Sequence, residues 1–502
     1  MDSLLIRNTR VLTLDDADHE WPQADIVIES GEIKAVGPGA GDDWPCCFER
    51  VIEGEGLLAM PGLINAHFHS PGNLMKGMLP GMPLELFMLY EVPPLAARSD
   101  VARFAYIRTI LGALEMLRRG ITAVNDDAYH VPVASYKSID AIMHAYEDVG
   151  IRATVAIDQS NVVEYEKLPF LADLLPEEVR RSMESTLRQS STELLELYQY
   201  LIDRWNGRAG GRLAAAVSCS APQRVTSDYF KALSELSKRY DLPFNVHILE
   251  SKLQRVLGEE KYGKSIVRYV HDLGLLDERM IVIHGIWLDE HDIALLATSH
   301  CIVAHNPVCN LRLGSGVMPY YELHAAGVPI CLGSDEMNTD DTTNMWFVAK
   351  TAALLQTLSS IEYRDWPSGI EMLAALTRGG ARALRRQDRL GQLTPGFAAD
   401  ITLLDLDTYA FTPLNDLRRQ LIFCEDGGSV RYTIVAGRVV YEDGRVTTVD
   451  EKALRAEAHS LMNSYRESLM QAIEEAQRLE PYYRAMYMKA ASRDVGMNRR
   501  LQ

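Results

Sequence analysis

Histidines and an aspartate stand directly after short apolar runs at separate places in the chain, and side chains of these types bind metal ions. His67 and His69 end one run, and His247, His284 and Asp335 end three others. Neutral imidazoles and a carboxylate suit zinc or iron(II), and a catalytic site leaves one position open for water. The i, i+2 spacing directs both imidazoles of the first pair to one side of an extended strand. These residues therefore predict a catalytic metal site.

A carboxylate follows the third of these histidines, in the sequence His247-Ile248-Leu249-Glu250. A turn onto the next helix would bring the Glu250 side chain over the metal-bound water, where it could carry a proton to the leaving group. A glutamate at a helix start is also favoured by the helix dipole alone. Beside a metal cluster, we interpret Glu250 as the proton carrier.

A polar segment after another run resembles a loop on the rim of a site. It ends in Gly314-Ser315-Gly316, and its amide side chains could bond a polar substrate. A loop with a purely structural role fits the same sequence. The candidate substrate contacts are His305, Asn306 and Asn310.

Eight apolar runs, each followed by a helical segment, would position these residues. Strands that alternate with helices indicate an α/β fold with a parallel sheet, and eight of them favour a closed (β/α)8 TIM barrel. The C-terminal ends of barrel strands lie on one rim, so distant residues would converge there. The runs cover residues 57–67, 121–126, 153–158, 213–218, 244–247, 280–284, 301–305 and 330–335.

Both chain ends carry short strands outside this alternation, at residues 4–37 and 399–441. We predict that they combine into a small discontinuous β-sandwich domain, the alternative being two unrelated hairpins. The tail is predicted to be helical and to pack on the barrel or on a second subunit of a homodimer. The predicted domains are 1–58 (β-sandwich, first part), 59–387 (metal-dependent barrel), 388–450 (β-sandwich, second part) and 451–502 (C-terminal helical tail).

Composition excludes several classes of partner. The net charge of -18 and the pI of about 5.2 argue against nucleic acid or an anionic membrane, because both require a basic surface. The seven cysteines contain no C-x-x-C, so neither a disulfide framework nor a thiolate zinc site is indicated. No signal-peptide pattern or spanning apolar run is visible, and a cytoplasmic location is expected.

Taken together, the motifs resemble those of the amidohydrolase superfamily, in the branch that holds s-triazine hydrolases, cytosine deaminase and adenosylhomocysteine deaminases. The resemblance runs to about residue 400, and the tail beyond about residue 450 lies outside it. The matching segments are residues 61–69, 247–250, 283–284, 305–310, 333–335 and 390–400.

The resemblance implies a ligand set and two further roles. One zinc ion, or iron(II), would be bound, Glu250 would move protons, and His284 would polarise the substrate or steady the attacking water. The fourth run ends without a lysine, at residues 217–220, so a binuclear centre with a carbamylated lysine is not expected. The implied metal ligands are His67, His69, His247 and Asp335.

Four positions depart from the family pattern and leave the substrate open. Glu336 stands where glycine or a second aspartate is common, and Cys309 where serine is common. Lys76 replaces a frequent arginine, and Phe87 a usual tryptophan.

The predicted activity is that of an aminohydrolase acting on a small nitrogen heterocycle of the triazine, pyrimidine or purine type. The metal would lower the pKa of bound water from about 15.7 towards 7. Asp335 and Glu250 would take its proton during attack, and ammonia would leave. The alternative is hydrolysis of a C–Cl, C–N-alkyl or cyclic amide bond at the same site. A non-catalytic scaffold is least favoured, because every expected ligand is present.

Overall fold

The computed structural model describes residues 3–42, 44–45, 47–96 and 101–500. Its strands, numbered along the chain, are β1 (Ser3–Leu12), β2 (Glu20–Glu29), β3 (Glu32–Gly37), β4 (Arg50–Glu53), β5 (Leu57–Pro61), β6 (Leu63–His69), β7 (Ile121–Tyr129), β8 (Arg152–Asp158), β9 (Leu213–Ala215), β10 (Val217–Ser218), β11 (Phe244–Ile248), β12 (Met280–His284), β13 (Ile302–His305), β14 (Ile330–Leu332), β15 (Asp335–Glu336), β16 (Ile401–Asp405), β17 (Val430–Val435), β18 (Arg438–Glu442) and β19 (Arg445–Val446).

Helices connect and cover these strands. The α-helices are α1 (Leu84–Ala96), α2 (Val101–Leu117), α3 (Tyr136–Val149), α4 (Leu171–Leu174), α5 (Glu177–Ser185), α6 (Ser191–Trp205), α7 (Arg208–Gly211), α8 (Ser227–Tyr240), α9 (Lys252–Tyr262), α10 (Ile266–Asp272), α11 (Glu290–Thr298), α12 (Pro307–Arg312), α13 (Tyr320–Ala325), α14 (Met337–Asp340), α15 (Met345–Gln356), α16 (Gly369–Ala374), α17 (Gly380–Ala383), α18 (Leu417–Phe423) and α19 (Glu451–Ala491).

Two five-stranded parallel sheets form the centre of the fold, with the strand orders β15-β6-β7-β8-β9 and β10-β11-β12-β13-β14. Every residue of β6, β11 and β12 is buried, including the polar residues Asn65 and Asn245, as expected of parallel strands that are covered on both faces. The predicted α/β class with parallel strands is confirmed.

The first predicted run divides into two strands at Gly62. β5 pairs with β16 in a different sheet, and only β6 belongs to the parallel set. The Gly62 amide donates to the Asp400 carbonyl at 3.0 Å, and a Cβ at this position would lie 2.2 Å from Thr122 Cγ2. The close approach of the Thr122 side chain therefore requires a glycine where the chain passes between sheets.

The strands of the two chain ends share a third, nine-stranded sheet of mixed direction. Its order is β19-β18-β17-β16-β5-β1-β2-β3, and β4 pairs with β1. The antiparallel pairing of β5 with β16 joins the two ends of the chain. Residues such as Ile6, Ile26 and Ile434 form a separate apolar core here.

The predicted helical tail is the 41-residue helix α19, capped by the Asp450 side chain, which accepts from the Ala453 amide. It packs on α1, α2, α4 and α9 of its own chain. Neither α19 nor any other helix among the described residues is long and apolar enough to cross a membrane.

Candidate active site

Neighbouring strand ends of the parallel sheets bring the predicted ligands together. His67 and His69 close β6, His247 lies next to the end of β11, His284 ends β12 and Asp335 begins β15. All five side chains are buried, with exposed fractions between 0% and 6%.

His67 belongs to two groups of side chains that are close enough to share an ion, one with His69 and Asp335 and one with His247 and His284. Asp335 Oδ1 lies 3.3 Å from His67 Nε2 and 3.6 Å from His69 Nε2. The Nε2 atoms of His69 and His247 are 3.2 Å apart. One ligand atom from each of His67, His69 and Asp335 lies within 4.8 Å of the others, the spacing of groups that can share one ion.

Backbone carbonyls fix the orientation of two of these imidazoles. His69 Nδ1 is hydrogen-bonded to the Asp127 carbonyl, and His247 Nδ1 to the Ser220 carbonyl at 2.7 Å. A carbonyl only accepts, so each Nδ1 carries the proton and each Nε2 keeps its lone pair. Metal-ligating histidines are held in this way.

The charge states also suit a metal ion. Burial lowers the pKa of His67 and of His247, and it lowers the pKa of His69 to about 3. The imidazoles are therefore neutral at pH 7, as ligands must be. Burial alone would raise the pKa of Asp335, but His67, His284 and His69 hold it well below its ordinary value.

The surroundings of His67 also test whether these residues suit a bound metal ion. Both of its ring nitrogens are buried, and neither has a hydrogen-bond partner among the described residues. A buried polar atom left unpaired costs about 1–3 kcal/mol, and a coordinated cation would remove that cost. Three neutral imidazoles and one carboxylate fit a single divalent ion such as zinc.

Glu250 and His284 complete the polar cluster. His284 Nε2 lies 3.4 Å from Glu250 Oε2 and 3.5 Å from Asp335 Oδ2. Burial raises the pKa of Glu250 to about 7, and its Oε1 atom has no partner within the described part of the chain. A carboxyl group with this pKa can both take and give a proton near neutral pH.

Four residues at these strand ends have left-handed backbone conformations. The φ angles are 61° for Ser220, 52° for Leu249, 73° for His284 and 64° for Asp335. Such conformations cost non-glycine residues about 1–3 kcal/mol and cluster at functional sites, where surrounding packing maintains them. Here they turn the chain at the edge that carries the predicted metal ligands.

The predicted substrate contacts lie behind His284 instead of in the cavity. Asn310 Oδ1 is 3.0 Å from His284 Nδ1, and Asn306 Nδ2 is 3.4 Å from the same atom. His305 is fully buried, and neither of its ring nitrogens has a partner in the described chain. None of these three is among the described residues that line the cavity. Their placement makes the two amides supports of His284.

A cavity of about 400 Å³ opens onto the cluster. His69, His247, His284, Glu250 and Asp335 all line it. Its other walls include apolar side chains of α1, α9 and α19, so the cavity combines a polar floor with apolar sides.

Sequence reasoning missed a second group of acids in this cavity. Tyr129 Oη donates to Glu336, and Asn338 Nδ2 donates to Glu91. Burial raises the pKa of Glu91 to about 7 and that of Glu336 well above its ordinary value. The sequence showed that Glu336 departs from the family pattern. Its partner Glu91 lies in helix α1, and no spacing in the sequence distinguished it from other helical glutamates.

Two further acids lie at or near strand ends next to the predicted metal ligands. Asp127 lies near the end of β7 and Asp158 ends β8. Burial raises the pKa of Asp158 to about 6, and burial together with Asp158 raises that of Asp127. Their strand-end positions were a signal that the sequence offered.

Fold and site together define a hydrolase, and the chain belongs to the amidohydrolase family, whose model matches residues 58–440. Curated relatives that cover most of the chain are named as deaminases. The chain is 28% identical to 5'-deoxyadenosine deaminase of Methanosarcina mazei over 91% of its length and 97% of that protein. It is 29% identical to 5-methylthioadenosine/S-adenosylhomocysteine deaminase of Desulforudis audaxviator, with the same coverage.

Solved structures give a similar picture. An adenosine deaminase from Xanthomonas campestris with bound zinc aligns with a TM-score of 0.81 and 26% identity, covering 92% of this chain and 98% of that one. An atrazine chlorohydrolase from Arthrobacter aurescens in complex with zinc aligns with a TM-score of 0.82 and 26% identity, covering 91% of this chain and all of that one (100%).

Proposed function

We propose that the protein is a mononuclear metal-dependent aminohydrolase that removes the amino group from the purine ring of an adenosine-type nucleoside. The observation that carries this proposal is the convergence of the ligand cluster, Glu250 and His284 on one cavity. The deaminases of adenosine derivatives among the relatives support the choice of ring.

We assign His67, His69, His247 and Asp335 as the ligands of one zinc ion, with iron(II) as the alternative. When bound, such an ion lowers the pKa of a coordinated water molecule from about 15.7 towards 7. These ligands are buried, which strengthens the electrostatic interactions between them.

Two side chains move or orient protons in this scheme. Glu250, with its unpartnered Oε1 and a pKa of about 7, takes a proton from the attacking water and passes it to the departing amino nitrogen. His284 turns Nε2 towards both Glu250 and Asp335, which places it to hold the water between them. Asn310 is a positioning residue, because its Oδ1 lies 3.0 Å from His284 Nδ1 and orients the imidazole ring.

We further propose that the two parallel sheets are halves of one closed (β/α)8 barrel. Only Ala216 separates β9 from β10, and only residues 333–334 separate β14 from β15, so each sheet continues into the other at both edges. The nine-stranded sheet would be the discontinuous β-sandwich, contributed by residues 1–58 and 388–450 around a barrel of residues 59–387.

Glu250→Gln tests the mechanism directly. We expect deaminase activity to fall at least about 100-fold, because the amide cannot shuttle a proton, while the protein still binds one equivalent of zinc. Glu196→Gln, at an exposed position of α6, is the matched control. Ammonia release and metal analysis measure both quantities, and chelation should abolish activity in the wild type. Full activity of Glu250→Gln would remove this residue from the mechanism.

Dechlorination or loss of an alkylamine is a second candidate activity, favoured by the likeness to the atrazine chlorohydrolase structure. The same cluster would serve either bond. Product analysis over purine nucleosides, pyrimidines and triazines separates the two, since ammonia marks deamination and chloride marks dechlorination.

A further inference from the structure

The C-terminal helix α19 lies beyond residue 440, where the family match ends. Its buried residues recur at intervals of three, four or seven positions and so form a single face. They pack on helices α1, α2, α4 and α9 of the same chain. The buried positions on this face are Leu454, Ala458, Tyr465, Leu469, Ala472, Ala476, Tyr483, Met486 and Ala490.

This face reaches the active-site cavity at two residues. Leu479 and Tyr483 line the same cavity as Glu250 and His284, and Tyr483 is buried to 2% exposure. They are one helical turn apart, so their side chains lie side by side.

Polar contacts on either side hold this part of α19 in place. Tyr90 Oη of α1 donates to the Glu480 carboxylate. Lys252 Nζ, at the start of α9, donates to the Ala491 carbonyl at 2.7 Å. The two lining residues are therefore a fixed part of the cavity wall.

The neighbouring helices also contribute apolar lining, with Met88 and Val92 from α1 and Leu253 and Leu257 from α9. Together with α19, this part of the cavity offers an apolar substituent a surface to bury against.

Basic side chains of the cavity already have partners. Lys167 Nζ lies 2.7 Å from Glu164 Oε2, and the Arg188 guanidinium donates to the carbonyls of Met183 and Glu184 at 2.9 and 2.8 Å. Arg224 Nη1 donates to Ser220 Oγ at 3.1 Å. These hydrogen bonds hold the basic side chains in place, and the apolar side chains of α1, α9 and α19 are the part of the wall that an apolar substituent can contact.

We propose that Leu479 and Tyr483 are specificity-determining residues through which the C-terminal helix selects substrates with an apolar substituent. This inference rests on the proposed function and deepens it. The favoured class is an adenosine whose 5' position carries a methyl or methylthio group in place of a hydroxyl.

The test compares selectivity between 5-methylthioadenosine, adenosine and S-adenosylhomocysteine. Wild-type protein should show the highest kcat/KM for 5-methylthioadenosine. Leu479→Ala and Tyr483→Ala should lower its preference over adenosine about 10-fold, because a contact with the apolar group is lost. Tyr483→Phe should keep the preference, since it keeps the ring. Met488→Ala, at a 53% exposed position of α19, is the control.

Calorimetric binding of the same three compounds to zinc-loaded Glu250→Gln, with and without Leu479→Ala, separates this inference from the proposed function. Binding that favours 5-methylthioadenosine and weakens in the double variant supports the inference even if the wild type deaminates none of them. Selectivity within twofold of wild type in both alanine variants would overturn it, as would equal or undetectable binding of all three compounds.

Discussion

Gly333 shows how closely the proposed metal ligands are packed. An added Cβ here would lie 2.5 Å from Asn306 Oδ1 and 2.8 Å from both the Cβ and the carbonyl oxygen of His67. Because backbone atoms cannot yield as a flexible side chain can, any larger residue must displace His67. Gly333, two residues before Asp335, therefore positions His67, a proposed ligand on a different strand.

Gly333→Ala should weaken zinc binding about 10- to 100-fold, the effect of disturbing a residue that supports a metal ligand. Competition with a zinc chelator measures this affinity. Gly81→Ala is the control, since its added carbon would come no closer than 3.2 Å, to the Arg312 carbonyl. Wild-type affinity in Gly333→Ala would show that His67 is not a ligand or that its position can shift freely.

At the scale of elements, one buried ion pair joins the central sheets to the nine-stranded sheet. Arg152, the first residue of β8, donates from Nε and Nη2 to both oxygens of Asp400, at 2.8 and 2.9 Å. Asp400 also accepts from the Ala436 amide at 2.8 Å. The pair is largely buried, with 12% and 5% of the two side chains exposed. Such a two-pronged contact fixes the angle between elements more firmly than a single bond.

Asp400→Asn should lower the free energy of unfolding by about 3 kcal/mol, because it leaves the Arg152 charge buried without its partner. Urea denaturation followed by circular dichroism gives this value. Asp42→Asn is the matched control, because its partner Arg7 and Asp42 itself are 39% and 68% exposed, and exposed pairs contribute about 1 kcal/mol or less. An equal loss in both variants would contradict a special role for the buried pair.

At the scale of the whole molecule, buried neutral histidines link stability to pH. His130 illustrates this away from the metal ligands, since burial lowers its pKa to about 3. The unfolded chain takes up a proton on this side chain below about pH 6.5, and the folded protein does not. The contribution of His130 to the free energy of unfolding is therefore greatest above pH 6.5, and it is lost as the pH falls from 6.5 towards 3.

Replacement of His130 by glutamine should remove this dependence. Between pH 6.5 and 5, metal-free wild-type protein should lose about 2 kcal/mol more of unfolding free energy than His130→Gln, at about 1.4 kcal/mol per pH unit. Unfolding of both proteins at the two pH values measures the difference. His144→Gln, at an exposed position of α3, is the control. Parallel losses in wild type and His130→Gln would contradict the effect.

Sequence alone determined the chemical type of this protein. An apolar run ends where a polar side chain enters the site, so residues of metal-ligand type stand at the strand ends. His67, His247, His284 and Asp335 can therefore be recognised in the sequence from their positions at the ends of these runs. Parallel strands then place those ends on one edge. The α/β class followed from this pattern, and the amidohydrolase family from the resemblance of the sequence motifs to those of known members.

Only the tertiary structure decided which side chains meet across the cavity. Asn310 contacts His284, and Glu91 contacts Glu336. Leu479 lines the same cavity as Glu250, although the two residues are far apart in the sequence. Local spacing describes one strand or helix at a time, whereas these contacts depend on how helices and loops pack on one another. The physical reason is that side-chain periodicity specifies which face of an element is buried but not which neighbour covers it.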